Sequence, residues 1–557
     1  MTPIPREARS FDIAMRHSDY TPVIDLIAEP GTGPVREKRP LYVDLLPPCN
    51  NACPAGEDIQ AWLAHAQAGR YREAWLTLVR DNPFPAVHGR VCYHPCETSC
   101  NRKDVDSAVS IHAVERFLGD MAATENWQLP IEGKPSGKRL LVVGGGPSGL
   151  SAAYHLARLG HTVEIHDAGS MPGGMMHFGI PAYRLPRAEL MIEVARIEAM
   201  GVKIVLNHKV DDLIAEKNAG RFDAVFVAIG ANIGKRIDIP ARDAAGIYTA
   251  ISLLRTNETG DAPKLGRRVV VYGAGNTAMD AARTAKRLGA EEAVIVFIMD
   301  RAHMEAHAFE AQEALEEGVT FKWLSSIKDI DRSEIKIEHM RLDASGQPHP
   351  TGEFETLKAD SVVLALGQQS DSGFLKKIPG IEFGANGSVV IGANMMTGVA
   401  GIFAGGDMVP SDRTVTAGVG HGKKAARHID AWLRGKAYAH AATHPLVSSE
   451  MLHLPIYSDA EPRSQTMQPA ASRVADFSEV VGGLSLKEAT YEAKRCLSCG
   501  NCFECDQCYA ACPEQAIEKL GPGQRYSIHY DLCTGCAVCF EVCPCHAIEM
   551  TPEPTAN

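Results

Sequence analysis

Apolar positions recur along this chain with two different periods, and the change of period divides it. Ile59, Trp62, Leu63 and Ala66, then Ala74, Trp75, Leu78 and Val79, recur at helical spacing and predict the buried faces of two short helices. They sit in a segment, residues 1–135, that reads as largely helical with an irregular start. From residue 139 the pattern becomes short apolar runs ending near glycine: 139–143, 162–167, 222–230, 268–272, 359–367 and 401–407. Helix-period stretches separate them, which predicts βαβ units and parallel sheets. Residues 440–480, rich in Pro, Ser and Ala with no sustained period, read as a linker or extended arm. The expected fold class is α/β, with two nested Rossmann-like domains between a helical N-terminal domain and a small cysteine-rich C-terminal one.

Two of the runs enter glycine loops. Run 139–143 meets Gly144, Gly146 and Gly149, a helix pattern follows, and run 162–167 ends on Asp167. That is a complete dinucleotide-binding βαβ unit: Gly144 for the tight turn, Gly146 for backbone approach to the pyrophosphate, Gly149 for close helix–strand packing. The helix N-terminus directs about half a positive charge at the phosphates, and Asp167 is placed to accept ribose hydroxyls. Run 268–272 leads into Gly273, Gly275, Asn276 and Thr277, with Ala278 in the third glycine position. Two such units imply two dinucleotides.

At 557 residues the chain exceeds what one core supports. A net charge of -12 offers no basic stripe and argues against a nucleic-acid partner. No signal-like or spanning apolar run is evident, so the expectation is a cytoplasmic chain without membrane insertion. The sixteen cysteines fall in tight groups, which in a reducing compartment reads as metal ligation. The most specific of these are Cys502, Cys505, Cys508 and Cys512, and Cys533, Cys536, Cys539 and Cys543, each group ending in Cys-Pro. They resemble the bacterial two-cluster ferredoxins, in which the fourth cysteine of each run serves the other cluster. The resemblance implies one ligand set of Cys502, Cys505, Cys508 and Cys543, and another of Cys533, Cys536, Cys539 and Cys512.

Cys49-x3-Cys53-Pro and Cys92-x3-Cys96-x3-Cys100 resemble the N-terminal iron-sulfur domain of the glutamate synthase small-subunit family and the related part of dihydropyrimidine dehydrogenase. The resemblance implies two 4Fe-4S clusters there, with Glu115 as one ligand. The Arg-Cys-x2-Cys-Gly string that precedes these motifs in the family is absent here; it stands instead at Arg495–Gly500. Cys496 and Cys499 are therefore expected to fold back to Cys49 and Cys100, leaving Cys53, Cys92, Cys96 and Glu115 as a second set. Four clusters result, with Cys545 left over, expected beside the last of them.

The same resemblance places an FAD-wrapping loop at residues 172–186, with Gly174 and Arg184. It puts Gly230 and Gly367 at the two crossings between nucleotide domains, Gly406 and Asp407 at the flavin, and Thr416 on a helix aimed at it. The expected division is an iron-sulfur domain 1–135, an FAD domain 136–260 and 362–437, an NAD(P) domain 261–361, an arm 438–494 and a ferredoxin-like domain 495–557. Where NADPH-using members carry two arginines against the 2'-phosphate, this chain has Ile298 and Met299, followed by Asp300. That points to NAD(H), although Arg301 leaves room for NADPH. His303 and His307, four apart, read as a solvated helix face.

A flavin accepts a hydride and releases single electrons, so no catalytic acid, base or nucleophile is expected from the protein. The reading is an electron-transfer flavoprotein subunit with FAD, NAD(H) and four 4Fe-4S clusters. Its expected partners are other subunits of an oxidoreductase complex, a 2-oxoacid oxidoreductase being slightly favoured, or ferredoxin. A free-standing ferredoxin:NAD(P) reductase and a glutamate synthase small subunit are the alternatives.

Overall fold

The computed structural model describes residues 36–235, 239–242 and 246–554. The first 35 residues, read above as the irregular start of the helical segment, lie outside them.

Arg139–Val143 is the middle strand of a five-stranded parallel sheet. Its neighbours are Thr162–His166 and then Lys203–Val205 on one side, and Ala224–Val227 and then Ile402–Ala404 on the other. Leu140 pairs with both Val163 and Ala224, so its run is apolar on both faces, as a doubly covered parallel strand requires. Leu140 and Val142 face the helices α1 (Pro147–Arg158) and α3 (Val415–Leu433), which share a core with Trp75, Val79, Phe84 and Val87 of the N-terminal helices. Leu141 and Val143 face Leu375, Val389 and Met408.

The second parallel sheet holds, in order, Val319–Lys322, Glu292–Val296, Arg268–Tyr272, Ser361–Leu364 and Ile247–Thr249, with α2 (Asn276–Arg287) packed on it. This corrects one expectation. Ser361–Leu364 pairs with Arg268–Tyr272, so the chain rejoins the first sheet at Ile402–Ala404 and not in run 359–367. A four-residue apolar run suits the interior of either sheet; only pairing decides which. The sequence also gave no notice of the antiparallel meander Ser325–Asp331, Glu334–Leu342 and Pro348–Lys358, which covers the outer face of this sheet through Ile327, Ile335 and Ile337.

The two predicted N-terminal helices are Ile59–Gln67 and Tyr71–Val79, with Trp62 and Trp75 fully buried and Asp58 capping the first. Two segments far apart in the chain meet: Lys38–Tyr42 pairs antiparallel with Ile548–Pro552. The arm is extended and clasps several elements at once. Glu479 pairs with Arg90 and Arg116, the Val480 amide donates to the Tyr183 carbonyl, and Arg473 pairs with Glu316. Among the described residues no helix is long and apolar enough to cross a membrane.

Candidate functional site: two nucleotide loops and four cysteine groups

At the carboxyl ends of the first sheet lies a cleft of about 210 Å³, lined by Gly144, Gly146, Asp167, Gly174, Gly230 and Asp407. Gly144 has φ +105°, and a Cβ there would come within 2.4 Å of the Ala228 carbonyl oxygen. A Cβ on Gly149 would sit 1.9 Å from the Gly144 carbonyl oxygen, so this glycine serves helix–strand packing and stays out of the cleft. The Asp167 carboxylate accepts from the Gly145 and Gly169 amides at 2.5 and 2.6 Å, which fixes it at the strand end. Gly406 lines the cleft too, and burial pushes the neighbouring Asp407 carboxyl up to about 6 while Arg413 draws it back. Glycines that admit backbone approach, the N-terminus of α1 and two carboxylates at hydroxyl-binding depth fit FAD.

The second loop repeats the geometry. Gly273 has φ +124°, and its Cβ would lie 2.3 Å from the Ala365 carbonyl oxygen; Ala278 is fully buried where the third glycine would be. Gly275 caps α2, and Gly367 turns at φ +91°. The side chains here are already engaged. Asn276 accepts from the His307 amide and donates to the Tyr93 hydroxyl, while Thr277 accepts from Gln368. The Met299 carbonyl accepts from the Leu324 amide, and Asp300 caps the turn Arg301–His303, accepting from the His303 amide and Nδ1. His303 and His307 share no helix face: the first closes that turn and the second caps the separate helix Ala308–Glu316. Extended backbone at Met304 and His307 separates the two elements, so the expected i,i+4 register is absent.

The cysteines fall into the expected groups. Cys49, Cys100, Cys496 and Cys499 line one small cavity. Cys53, Cys92 and Cys96 are close enough to influence one another's ionisation, and Glu115 bears on both Cys53 and Cys92. Cys502, Cys505, Cys508 and Cys543 line a third cavity, and Cys512, Cys533, Cys536 and Cys539 a fourth. Cys545, expected beside the last group, packs instead in the third cavity, with its thiol 3.9 Å from that of Cys543. Burial pushes the Cys92 and Cys496 thiols up to about 12. In the first group burial makes ionisation of Cys49, Cys100, Cys496 and Cys499 costly, and four such thiols held together are ill suited to a bare pocket and well suited to multivalent iron, which supplies the missing positive charge.

The pyridine nucleotide-disulphide oxidoreductase family matches residues 138–428, more than half of the chain. The chain belongs to that family. Around this oxidoreductase core, the 4Fe-4S domain II of dihydropyrimidine dehydrogenase matches residues 42–127, and a 4Fe-4S dicluster domain matches 501–547. The beta subunit of an NADP(+)-dependent formate dehydrogenase from Moorella thermoacetica is 35% identical over 504 residues, covering 81% of this chain and 70% of that one. The beta subunit of an NADPH-Fe(3+) oxidoreductase from Geobacter sulfurreducens is 34% identical over 507 residues, covering 81% and 75%. The glutamate synthase (NADPH) small chain of Escherichia coli is 32% identical over 423 residues, covering 70% and 89%. The expected architecture stands: a glutamate synthase small-chain-like oxidoreductase with FAD/NAD(P) and 4Fe-4S domains.

In this oxidoreductase two of the anticipated flavin residues sit away from the cleft lining. The Arg184 guanidinium pairs with Asp280 of α2 at 2.8 Å and Glu310 at 2.5 Å, so it clasps the FAD-side loop to the second nucleotide domain. Thr416, on the first turn of α3, donates its hydroxyl to the Cys92 thiol at 3.1 Å. Gly418, two residues on, lines the cleft. One helical turn thus separates the flavin cleft from a cysteine group. Sequence reading missed the surroundings of Glu115: Asn82 donates to Glu115 and to Glu57, both at 2.9 Å, and contacts His88 Nδ1 at 2.8 Å. Burial and the Glu57 carboxylate hold the Glu115 carboxyl well above its ordinary range. Only the position of Glu57, four residues past Cys53, hinted at its place.

Proposed function

We propose that this oxidoreductase is the electron-transfer subunit of a larger enzyme, carrying electrons between NAD(H) at the α2 loop and a partner chain by way of FAD and four 4Fe-4S clusters. FAD, when bound, exchanges a hydride with nicotinamide and single electrons with iron-sulfur centres. The protein's task is placement. The α1 loop, Asp167 and Asp407 would hold FAD; the α2 loop, with Thr277 and Ala278, would hold the nicotinamide nucleotide. The cluster ligands would be Cys49, Cys100, Cys496 and Cys499; Cys53, Cys92, Cys96 and Glu115; Cys502, Cys505, Cys508 and Cys543; and Cys512, Cys533, Cys536 and Cys539.

The observation that carries this reading is the row these groups make. Thr416 joins the cleft to Cys92, Cys96 interacts with Cys49, and the phenol of Tyr457 feels Cys496, Cys499, Cys505 and Cys545 together. Cys508 interacts with Cys539, and Cys536 of the last group is exposed. A row that begins at the flavin cleft and ends at the surface favours delivery to, or collection from, another protein. Beta subunits among the relatives favour a separate catalytic chain, and the formate dehydrogenase and Fe(3+) reductase names rank such partners ahead of a 2-oxoacid oxidoreductase.

For the nucleotide we favour NADH. Although the relatives' names specify NADP(H), Ile298 and Met299 offer no guanidinium to a 2'-phosphate, and the Asp300 carboxylate would repel one. The test is anaerobic purification of the native protein through a tag on this chain, followed by mass spectrometry and addition of NADH. Co-purifying catalytic chains in fixed ratio, with NADH bleaching both flavin and iron-sulfur absorbance, are expected. A lone chain that NADH reduces and that turns over with ferredoxin would make it a free-standing reductase.

A further inference from the structure

The iron-sulfur segment reaches into the second nucleotide loop through one side chain. Tyr93 lies between Cys92 and Cys96, yet its hydroxyl oxygen accepts from Asn276 Nδ2 at 2.8 Å, and Asn276 is the first residue of α2. Its ring stacks on His307, the cap of the next helix, with centroids 3.8 Å apart and planes 17° from parallel. Asn276 also accepts from the His307 amide at 3.0 Å, so phenol, amide and imidazole form one closed contact across the domain junction. Arg184, clasped to Asp280 and Glu310, adds a cation beside it.

A dinucleotide on the Gly273–Ala278 loop places its pyrophosphate at the N-terminus of α2. Asn276 stands there, with its amide already committed to Tyr93. The phenolic oxygen is an acceptor in that bond, which leaves its own hydrogen available to a phosphate or ribose oxygen. We propose that Tyr93 is a nicotinamide-nucleotide-binding residue supplied by the iron-sulfur domain, acting together with Asn276. Nucleotide binding then bears directly on the loop that carries Cys92 and Cys96. This rests on the nucleotide reading of the α2 loop given above.

The test is equilibrium titration of the oxidised holoprotein with NAD+, and of the dithionite-reduced protein with NADH, for wild type and Tyr93→Phe. Phenylalanine keeps the ring on His307 and removes only the hydroxyl. Loss of one hydrogen bond should raise Kd about fivefold, with flavin and iron content unchanged. Kd within experimental error of wild type overturns the proposal. A second variant, Asn276→Ala, leaves the cysteine loop untouched and keeps the question open to test if Tyr93→Phe disturbs the cluster. Combined, the two substitutions should weaken binding by less than the product of their separate factors; independent, multiplicative factors overturn the claim that the pair acts as a unit. If wild type binds neither NADH nor NADPH, the nucleotide reading itself fails, a result distinct from a wild type that binds and a Tyr93→Phe variant that binds equally well.

Discussion

Replacing Cys496 with alanine tests the fold-back of the chain end most directly. Cys496 shares its cavity with Cys49, Cys100 and Cys499, which lie some 400 residues earlier or three residues later in the chain. With one thiolate gone, the remaining three should no longer hold a cubane. Iron should fall from about sixteen to about twelve atoms per chain, the loss of one 4Fe-4S cluster among four. Chain-entropy arguments place the link between such distant segments at about 6 kcal/mol. Other ties persist, however. Arg495 binds Asp106 at 2.9 Å and the Ser107 and Ala108 carbonyls, and five residue pairs join Lys38–Tyr42 to Ile548–Pro552. The variant should therefore stay folded with its ferredoxin-type clusters intact. Iron analysis with electron paramagnetic resonance of the reduced protein reads the outcome, Cys49→Ala should give the same spectrum, and Cys545→Ala should keep full iron. Unchanged iron in the Cys496 variant, with unaltered N-terminal cluster signals, would refute the shared set.

Three further outcomes are expected. Thr416→Val removes a hydrogen bond to the Cys92 sulfur that favours the more negative, reduced cluster, so that cluster's midpoint potential should drop by up to about 60 mV in a redox titration, and an unshifted potential would count against the contact. Ile298→Arg with Met299→Arg should raise kcat/KM for NADPH relative to NADH at least tenfold; an unmoved ratio would sink the reading of that strand. Asp407 has a folded pKa of about 6 against an ordinary 3.8. Burial thus penalises its charged form: the penalty is absent below about pH 4, grows from there to about pH 6 and is complete above, on the order of 2–3 kcal/mol. Flavin-free Asp407→Asn should match wild type in denaturant melts near pH 4 and exceed it near pH 7.5, whereas a difference independent of pH would contradict this origin.

The chemistry of the chain was largely legible in its sequence because it depends on local backbone geometry. Gly144 and Gly149 must be glycines because a side chain there would strike a backbone carbonyl, and the spacing of Cys502, Cys505 and Cys508 suits a loop wrapped round one cluster. Helical spacing marked Trp62 and Trp75 as core for the same reason: the period is a property of the segment itself. Tertiary structure decided whatever joins distant segments. It alone placed the short apolar strand Ser361–Leu364 in the second sheet, paired residues 38–42 with 548–552, and set Cys545 in the group of Cys502. It turned Arg184 from the flavin to Asp280, gave Thr416 to Cys92, and brought Tyr93 to Asn276. Such contacts leave no period or spacing in the chain, since each is made by one side chain meeting a surface that exists only after both domains have folded.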